Sequence, residues 1–417
     1  MTATNDLDRR LAAWFDARAT SREPDGLLDA SMARVAITRQ RPPWRASERW
    51  LDMSEFTLQL RPVIRTAWIL VVIALLIALA VAAIYIGSPH TGFPSNGGIV
   101  YARDGDLYLV TPGGDRDLTP QGGNEQGVSF APDGSRMAFW SQATDQTWQL
   151  QVAAPDGSDL RAVATSFSFT PTFPGETIDW ARDGRQVAVA SKVADVSRVF
   201  IVDIDTGEVR DVAGSVPAAE EPAWSHDGRS IAFRGALDQS GFSHALFVVD
   251  LASGAVRRVS RPIDPEFDAV GYGRPAWSPD DRTIVFDAVD QAGQTFALYR
   301  VAVDGTGQQR LTTTDRNGYS PKFSPDGRFI AFTDWQVPVS SLWVMAADGS
   351  GQRLLHDHAV SDTLSWSPDG KLILFETQPT SGDDSLYSIR PDGSGLTLLE
   401  ASSASQPRAG VSWQPKP

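Results

Sequence analysis

Two hydrophobic patterns divide the chain. From Thr66 to Gly87 the sequence carries no charged residue over 22 positions, whereas from about residue 97 short apolar strands alternate with polar turns. About 20 apolar residues in a helix span the hydrocarbon core of a membrane. The pattern therefore predicts one transmembrane helix over residues 66–87, a linker over residues 88–96 and an all-β domain over residues 97–417.

Arginines flank the apolar segment unequally. Arg45, Arg49, Arg61 and Arg65 lie within about 20 residues before it, and only Arg103 lies as close after it. Because cytoplasmic flanks carry the excess of positive charge, we expect a single-pass protein of the cytoplasmic membrane with a cytoplasmic N-terminus and an extracytoplasmic β domain. A buried globular helix and a cleaved signal peptide are the alternatives, and the long preceding segment favours a retained signal anchor.

The β domain repeats a unit of the form W-S-P-D-G-x-x-I-A-F. Its central aromatic residues recur every 43 to 53 residues, which is the length of a propeller blade. These aromatics are Phe130, Trp180, Trp224, Trp277, Phe323, Trp366 and Trp413. Each unit has the pattern of a hairpin in which Asp and Gly are expected to supply the positive φ angles of the turn. A second strand pair follows, so one unit predicts a four-stranded antiparallel blade.

The two ends of the β domain are complementary. The third-strand pattern occurs seven times, around Leu107, Trp148, Phe200, Leu246, Leu298, Leu342 and Leu386. The first copy lacks an aromatic strand before it, and the last aromatic strand, Val411 to Gln414, has no further strands after it. If this strand pairs beside Ile99 to Tyr101, the ring closes without open edges. We therefore predict an all-β propeller of seven blades, with six as the alternative if the ends do not pair.

The repeat carries a family resemblance. The unit is clearest in Trp277–Phe286 and Trp366–Phe375, and it resembles the WD40-like propeller repeat of the TolB family over residues 97–417. The resemblance implies a β-propeller and a structural or translocation role in the bacterial envelope. The N-terminal α/β domain of TolB is not recognisable here. The same repeat also occurs in prolyl-oligopeptidase-type enzymes, where a hydrolase domain follows the propeller.

Residues 1–65 have the pattern of two short amphipathic helices. Leu7, Leu11 and Trp14 share one helical face, and Leu28 and Met32 share another. A helical tail, one membrane span and an outer domain resemble the organisation of transmembrane anti-sigma factors, which implies a sigma factor as a cytoplasmic partner. The alternative is an amphipathic segment that lies on the anionic inner leaflet.

Composition excludes several classes of chemistry. The formal net charge of −14 argues against a nucleic-acid partner, because phosphate binding needs concentrated Lys and Arg. The absence of cysteine excludes disulfides, thiolate metal sites and cysteine nucleophiles. The sequence contains no Gly-x-Ser-x-Gly, His-Glu-x-x-His or phosphate-binding glycine loop. We therefore expect a protein that is not an enzyme and that carries no cofactor.

Three residue sets still invite a chemical interpretation. His356 and His358 are spaced as two ligands of a metal site. The turn aspartates suggest calcium, although one side-chain-to-backbone hydrogen bond per turn explains them together. They are Asp133, Asp183, Asp227, Asp280, Asp326 and Asp369. The repeated tryptophans suggest a carbohydrate platform, but their constant position in the repeat favours packing between blades.

Recognition is expected in the loops, because rigid scaffolds present binding residues there. The most irregular connections are 143–147, 165–177, 236–243, 261–272 and 377–385. The preferred contact loop combines acidic and apolar groups, with Asp264, Glu266, Phe267 and Asp268 as the candidate binding residues. The leading hypothesis is a binding or sensing module for a protein, peptide or envelope ligand, with a relay to the cytoplasmic tail. A TolB-like envelope component and a lyase or hydrolase with a channel active site are the alternatives.

Overall fold

A computed structural model describes residues 97–415 outside a set of short gaps. The gaps are 112, 121–122, 144, 173–177, 239–242, 263–273, 291–294, 337–339, 359–363, 378–384 and 402–409. The chain divides into two units, Met1–Ser88 and Pro89–Pro417, and every described residue belongs to the second. The predicted helical tail, membrane helix and linker lie outside the described residues. No helix with the length and apolar character of a membrane span occurs in the described part of the chain.

The described strands form seven sheets of four antiparallel strands, and each sheet is one blade. Blade 1 contains β1 (Ile99–Arg103), β2 (Asp106–Leu109) and β3 (Arg116–Asp117); blade 2 contains β4 (Glu125–Phe130), β5 (Met137–Gln142), β6 (Trp148–Ala153) and β7 (Arg161–Val163). Blade 3 contains β8 (Asp179–Trp180), β9 (Gln186–Val193), β10 (Val196–Asp203) and β11 (Val209–Asp211); blade 4 contains β12 (Glu220–Trp224), β13 (Ser230–Ala236), β14 (His244–Asp250) and β15 (Val256–Arg258).

The remaining strands complete the ring in the same order. Blade 5 contains β16 (Ala276–Trp277), β17 (Thr283–Asp290), β18 (Thr295–Ala302) and β19 (Gln309–Arg310); blade 6 contains β20 (Gly318–Phe323), β21 (Phe329–Asp334), β22 (Ser341–Ala346) and β23 (Arg353–His356). Blade 7 contains β24 (Ser365–Trp366), β25 (Ile373–Thr377), β26 (Ser385–Ile389) and β27 (Thr397–Ala401), and β28 (Val411–Trp413) follows it.

Strand β28 supplies the inner strand of blade 1. It pairs antiparallel with β1, with Ile99 opposite Trp413 and Tyr101 opposite Val411. Gln414 strengthens this closure, because its backbone N–H donates to the carbonyl of Gly98 at 2.7 Å and its side-chain oxygen accepts the Gly98 N–H at 3.1 Å. The predicted seven blades and their closure are confirmed, and the six-blade alternative is wrong.

The apolar core lies between the blades. Seven buried clusters each join the facing sides of two neighbouring blades, including the interface between blades 7 and 1. Three tryptophans also donate their indole N–H to the preceding blade: Trp180 to the carbonyl of Ser129, Trp277 to that of Ala223 and Trp366 to that of Lys322, at 2.9–3.0 Å. Burying one such side chain contributes roughly 2–3 kcal/mol. The predicted packing role of the repeated aromatics is confirmed.

The hairpin turns differ from the prediction in one respect. In the turn of blade 6, the N–H of Gly327 donates to the carbonyl of Ser324 at 2.8 Å, and Gly327 has a φ of 71°. Asp326 keeps a negative φ, because the turn is longer than the tight two-residue hairpin and needs the left-handed conformation only at its last position. The expectation that Asp also supplies a positive φ was therefore wrong for this turn.

Four inner strands bend at the same repeat position, three residues before the central aromatic. Gly127, Glu221, Ser320 and Gly410 each have a positive φ there, and the register of blades 2, 4 and 6 shifts around this residue. A bulge increases the local twist and redirects the strand. Glu221 and Ser320 hold a conformation that costs roughly 1–2 kcal/mol in a residue with a Cβ.

Candidate functional site

The strand order separates two faces of the propeller. The connections from the first to the second strand and from the third to the fourth strand of a blade emerge on one face, which we call the turn face. The connections from the second to the third strand and from one blade to the next emerge on the opposite face, which we call the loop face. All five irregular connections predicted for recognition belong to the loop face.

The preferred contact loop joins β15 of blade 4 to β16 of blade 5 and therefore belongs to the loop face. Its candidate binding residues Asp264, Glu266, Phe267 and Asp268 lie outside the described residues. Their role stays a prediction.

The turn face is built from aspartate turns. In each of the six repeat turns the aspartate carboxylate accepts the backbone N–H two residues later, at 2.9–3.2 Å. The hydroxyl of Ser278 also donates to Asp280, and that of Ser324 to Asp326; these bonds are the main reason why the pKa of each carboxyl lies below its usual value. The predicted structural role of the turn aspartates is confirmed.

An ion pair is buried beneath the loop face between blades 3 and 4. Arg234 Nη1 lies 2.6 Å from Glu220 Oε2, and the two side chains are 3% and 12% exposed. The hydroxyl of Ser197 in blade 3 donates to Glu220 Oε1 at 2.8 Å, and the hydroxyl of Thr172 donates to Ser197 at 3.3 Å. Loss of Glu220 or Arg234 would leave an uncompensated charge in the interior. Since the two hydroxyls extend the same hydrogen-bonded chain, the four residues form one unit.

His244 lies beside this unit. It opens β14 and is 9% exposed. Burial, followed by the positive charge of Arg234, lowers the pKa of His244 from 6.5 to about 4, against the opposing effect of Asp238. The imidazole is therefore neutral at pH 7.

Inner strands β4, β20, β24 and β28, together with Ile178 and Arg274, line a cavity of about 250 Å³ in the central channel. Arg274, which precedes blade 5, forms an ion pair with Asp179 of blade 3. The second oxygen of Asp179 accepts the backbone N–H of Trp224 in blade 4 at 2.6 Å. Asp179 thus links three blades, and its charge is balanced by the arginine.

A comparison with protein families identifies this architecture. The PD40 model, described as the TolB beta propeller domain, matches residues 142–416, which is more than half of the chain. The chain belongs to the TolB beta propeller family. The family resemblance of the repeat is confirmed.

Curated relatives of this TolB-type propeller match a little over half of the chain. An uncharacterized protein of Agrobacterium fabrum is 28% identical over 258 residues, which are 58% of this chain and 80% of the relative. The Tol-Pal system protein TolB of Francisella tularensis is 26% identical over 252 residues, which are 58% of this chain and 55% of that protein. The match thus covers about half of the TolB relative.

Solved structures show the same fold at low identity. TolB from Acinetobacter baumannii has a TM-score of 0.50 at 18% identity and covers 78% of this chain and 69% of its own. A puromycin-hydrolyzing peptidase of Mycobacterium tuberculosis has a TM-score of 0.55 at 15% identity, covering 72% of this chain and 50% of its own. These likenesses establish the propeller fold alone.

The two candidate metal ligands, His356 and His358, are hydrogen-bonded to each other at the end of β23. The backbone N–H of His358 donates to His356 Nδ1 at 3.1 Å, and the His356 ring packs on Phe375 with centroids 5.1 Å apart. Among the described residues, no group of three or more His, Cys, Asp or Glu side chains is arranged to hold a metal ion.

Sequence reasoning missed the buried charges of the second strands. Arg234, Asp287 and Glu376 each follow the last phenylalanine of a repeat unit and are at most 3% exposed. A central strand between packed blades is buried on both sides, so its alternation of polar and apolar residues disappears. A charged residue directly after the repeat unit could have indicated these buried charges. The other three units are followed there by uncharged residues, namely Trp140, Ala190 and Thr333.

Proposed function

We propose that the chain is a non-catalytic binding module of the bacterial envelope that receives a protein partner on the loop face of its propeller. The observation that carries the proposal is the placement of exposed apolar side chains. Val193, Val196, Leu237 and Trp335 are each about 40% exposed, and all four lie at connections between second and third strands. Of the other exposed large apolar side chains in the described structure, Leu160 and Leu396 lie at turn-face connections, and Leu354 and Leu398 belong to outer strands. The loop face thus carries more exposed apolar groups than the turn face, and such groups mark interaction surfaces.

The turn face offers a partner fewer exposed apolar side chains and fewer free carboxylate acceptors. Its aspartate carboxylates already accept backbone N–H groups within their own turns. The loop face, in contrast, combines exposed apolar side chains with the irregular connections, and Glu220 and Arg234 form their buried ion pair near the strand ends on this side. A rigid scaffold that presents variable loops is suited to recognition.

The family supports a partner in the envelope, since the relatives include Tol-Pal system proteins. We further propose that residues 66–87 anchor the chain in the cytoplasmic membrane with the propeller outside. In this arrangement, occupancy of the loop face is relayed to residues 1–65, where a sigma factor remains the predicted partner.

Site-specific photo-crosslinking of the full chain in cells tests the proposal. A photoreactive residue at Val196 or Leu237 on the loop face should capture a defined protein, which mass spectrometry identifies. Arg229 and Arg282 are matched control positions, because their side chains are 83% and 86% exposed in turns of the turn face. Equal capture at all four positions, or no capture from the loop face, would contradict the proposal. Turnover of an envelope peptide or polysaccharide by the purified full chain would contradict its non-catalytic part.

A further inference from the structure

Three aromatic side chains meet at the loop face between blades 5 and 6. The ring centroid of Phe296 lies 5.5 Å from that of Tyr319 and 5.5 Å from that of Trp335, and the last two are 6.3 Å apart. We call these three residues the aromatic platform. Trp335 is its outermost member and is 43% exposed.

The repeat does not require these aromatics. The framework of a blade uses the central aromatic of the first strand and, in five of the seven blades, a phenylalanine of the second strand, and the platform residues occupy neither position. Trp335, just after β21, occupies the same repeat position as Gln142 at the end of β5. The backbone N–H of Trp335 donates to the carbonyl of Asn317 and that of Gln142 to the carbonyl of Asn124, and each acceptor lies in the connection that precedes its blade. A glutamine satisfies the fold at this position. The tryptophan therefore has a role that the propeller framework does not explain.

Asn317 holds the platform in place. Its backbone carbonyl accepts the N–H of Trp335 at 2.8 Å, and its side-chain amide donates to the Trp335 carbonyl. The side-chain oxygen of Asn317 accepts the N–H of Phe296, which ties blade 5 to the same point. Asp334 accepts the Asn317 N–H at 2.7 Å and thereby fixes Asn317 itself. An exposed aromatic ring on a fixed backbone is preorganised for a ligand, which reduces the entropy lost on binding.

Polar side chains surround Trp335 in a cavity of about 360 Å³. Its lining consists of Thr295, Thr314, Asp315, Arg316, Asn317, Trp335 and Gln336. The Arg316 guanidinium lies 3.7 Å from the ring centroid of Trp343 and 3.5 Å from Asp334, so this lining residue is held in place. Hydroxyl, carboxylate and amide groups thus stand beside an exposed aromatic face. The volume lies at the small end of the range for ligand sites.

We propose that this cavity binds a pyranose ring of an uncharged glycan. The apolar C–H face of a sugar packs on an indole ring, while its hydroxyls both donate and accept hydrogen bonds. Asp315 offers acceptors, Arg316 offers donors, and Thr295 offers both. A proline-rich peptide also packs on aromatic grooves, but it has few donors for a carboxylate. The site goes beyond the protein-binding function proposed above: it shares Trp335 with that loop-face surface, but its test needs no protein partner.

The test uses the purified full chain in a detergent without a sugar headgroup. Trisaccharides of glucose, mannose and N-acetylglucosamine are titrated by calorimetry, with saturation-transfer NMR to identify the sugar protons in contact. We expect at least one trisaccharide to bind. Trp335→Ala should weaken that binding about tenfold or more through loss of the stacking surface, whereas Trp335→Phe should retain most of it.

Two further variants separate recognition from folding. Asp315 is 69% exposed, so Asp315→Asn should leave the melting temperature unchanged and weaken binding severalfold. Leu398→Ala, at a similarly exposed apolar residue of the outer strand β27, should bind like the wild type. The proposal is overturned if none of the three sugars binds, if Trp335→Ala binds as well as the wild type, or if a proline-rich peptide occupies Trp335 and no sugar does.

Discussion

Asp281 of blade 5 accepts the backbone N–H of His226 in blade 4 at 2.7 Å, and its second oxygen accepts that of Asp227 at 2.8 Å. Both Asp281 and His226 are departures from the repeat. Four of the other five repeat turns have proline, which has no N–H, where blade 4 has His226, and all five have glycine where blade 5 has Asp281. Each departure supplies one half of the contact, so together they join two turns on the turn face.

Asp281→Asn should weaken this contact. Asparagine tolerates the φ of 57° at this position, but it removes the charge that strengthens the two hydrogen bonds. We expect the free energy of unfolding of the full chain in guanidinium chloride to fall by about 1 kcal/mol. Asp159→Asn is the control, because Asp159 is exposed and has a φ of 54°. Equal effects of the two substitutions would show that the contact between the turns contributes nothing.

The indole hydrogen bonds between blades should be measurable by a matched pair. Trp277→Phe removes the donor to the buried carbonyl of Ala223, which is bonded at 2.9 Å. Trp224→Phe makes the same change where the indole nitrogen is buried without an acceptor in the described structure. Chemical denaturation should show Trp277→Phe to be more destabilising by about 1 kcal/mol. A larger loss for Trp224→Phe would contradict this account of the interface.

Closure of the ring should depend on Trp413. This side chain is 3% exposed and packs in the cluster that joins blades 7 and 1. Trp413→Ala should lower the free energy of unfolding by about 3–5 kcal/mol, whereas Trp335→Ala, at a tryptophan that is 43% exposed, should lower it by only about 1–2 kcal/mol. Denaturant titration followed by circular dichroism measures both. Similar losses in the two variants would mean that β28 is not essential for closure.

His244 should make stability depend on pH. Its pKa is lowered to about 4 in the folded chain, whereas the unfolded chain takes up the proton near pH 6.5. Stability is therefore lost as the pH falls from about 6.5 towards 4, because only the unfolded state gains the proton in this range. Between pH 7 and pH 4.5, this loss should be about 2 kcal/mol smaller in His244→Gln than in the wild type.

The comparison variant is His358→Gln, which removes a half-exposed histidine in place of the buried one. An unchanged pH profile in His244→Gln would show that the imidazole is not buried as described.

Sequence patterns predicted most of the fold and less of the candidate site. The aspartate of each turn and the phase of each aromatic recur with every blade, so one unit explains all copies, and the hairpins and the closure at Trp413 follow. The bulge residues Glu221 and Ser320 were missed, because neither residue type favours a positive φ. Phe296, Tyr319 and Trp335 were missed because they lie outside the repeat and meet only across two blades.

The sequence by itself determined the strand pattern and the blade length, and it favoured seven blades and a structural role for the turn aspartates. These features depend on contacts within one hairpin or on a period that every copy shares, so local chemistry is sufficient. Only the tertiary structure decided which side chains meet between blades: Asp281 with His226, Asp179 with Arg274, and Trp335 with Phe296. Such contacts depend on the angle and distance between neighbouring sheets, and a shift of about one strand spacing would separate them.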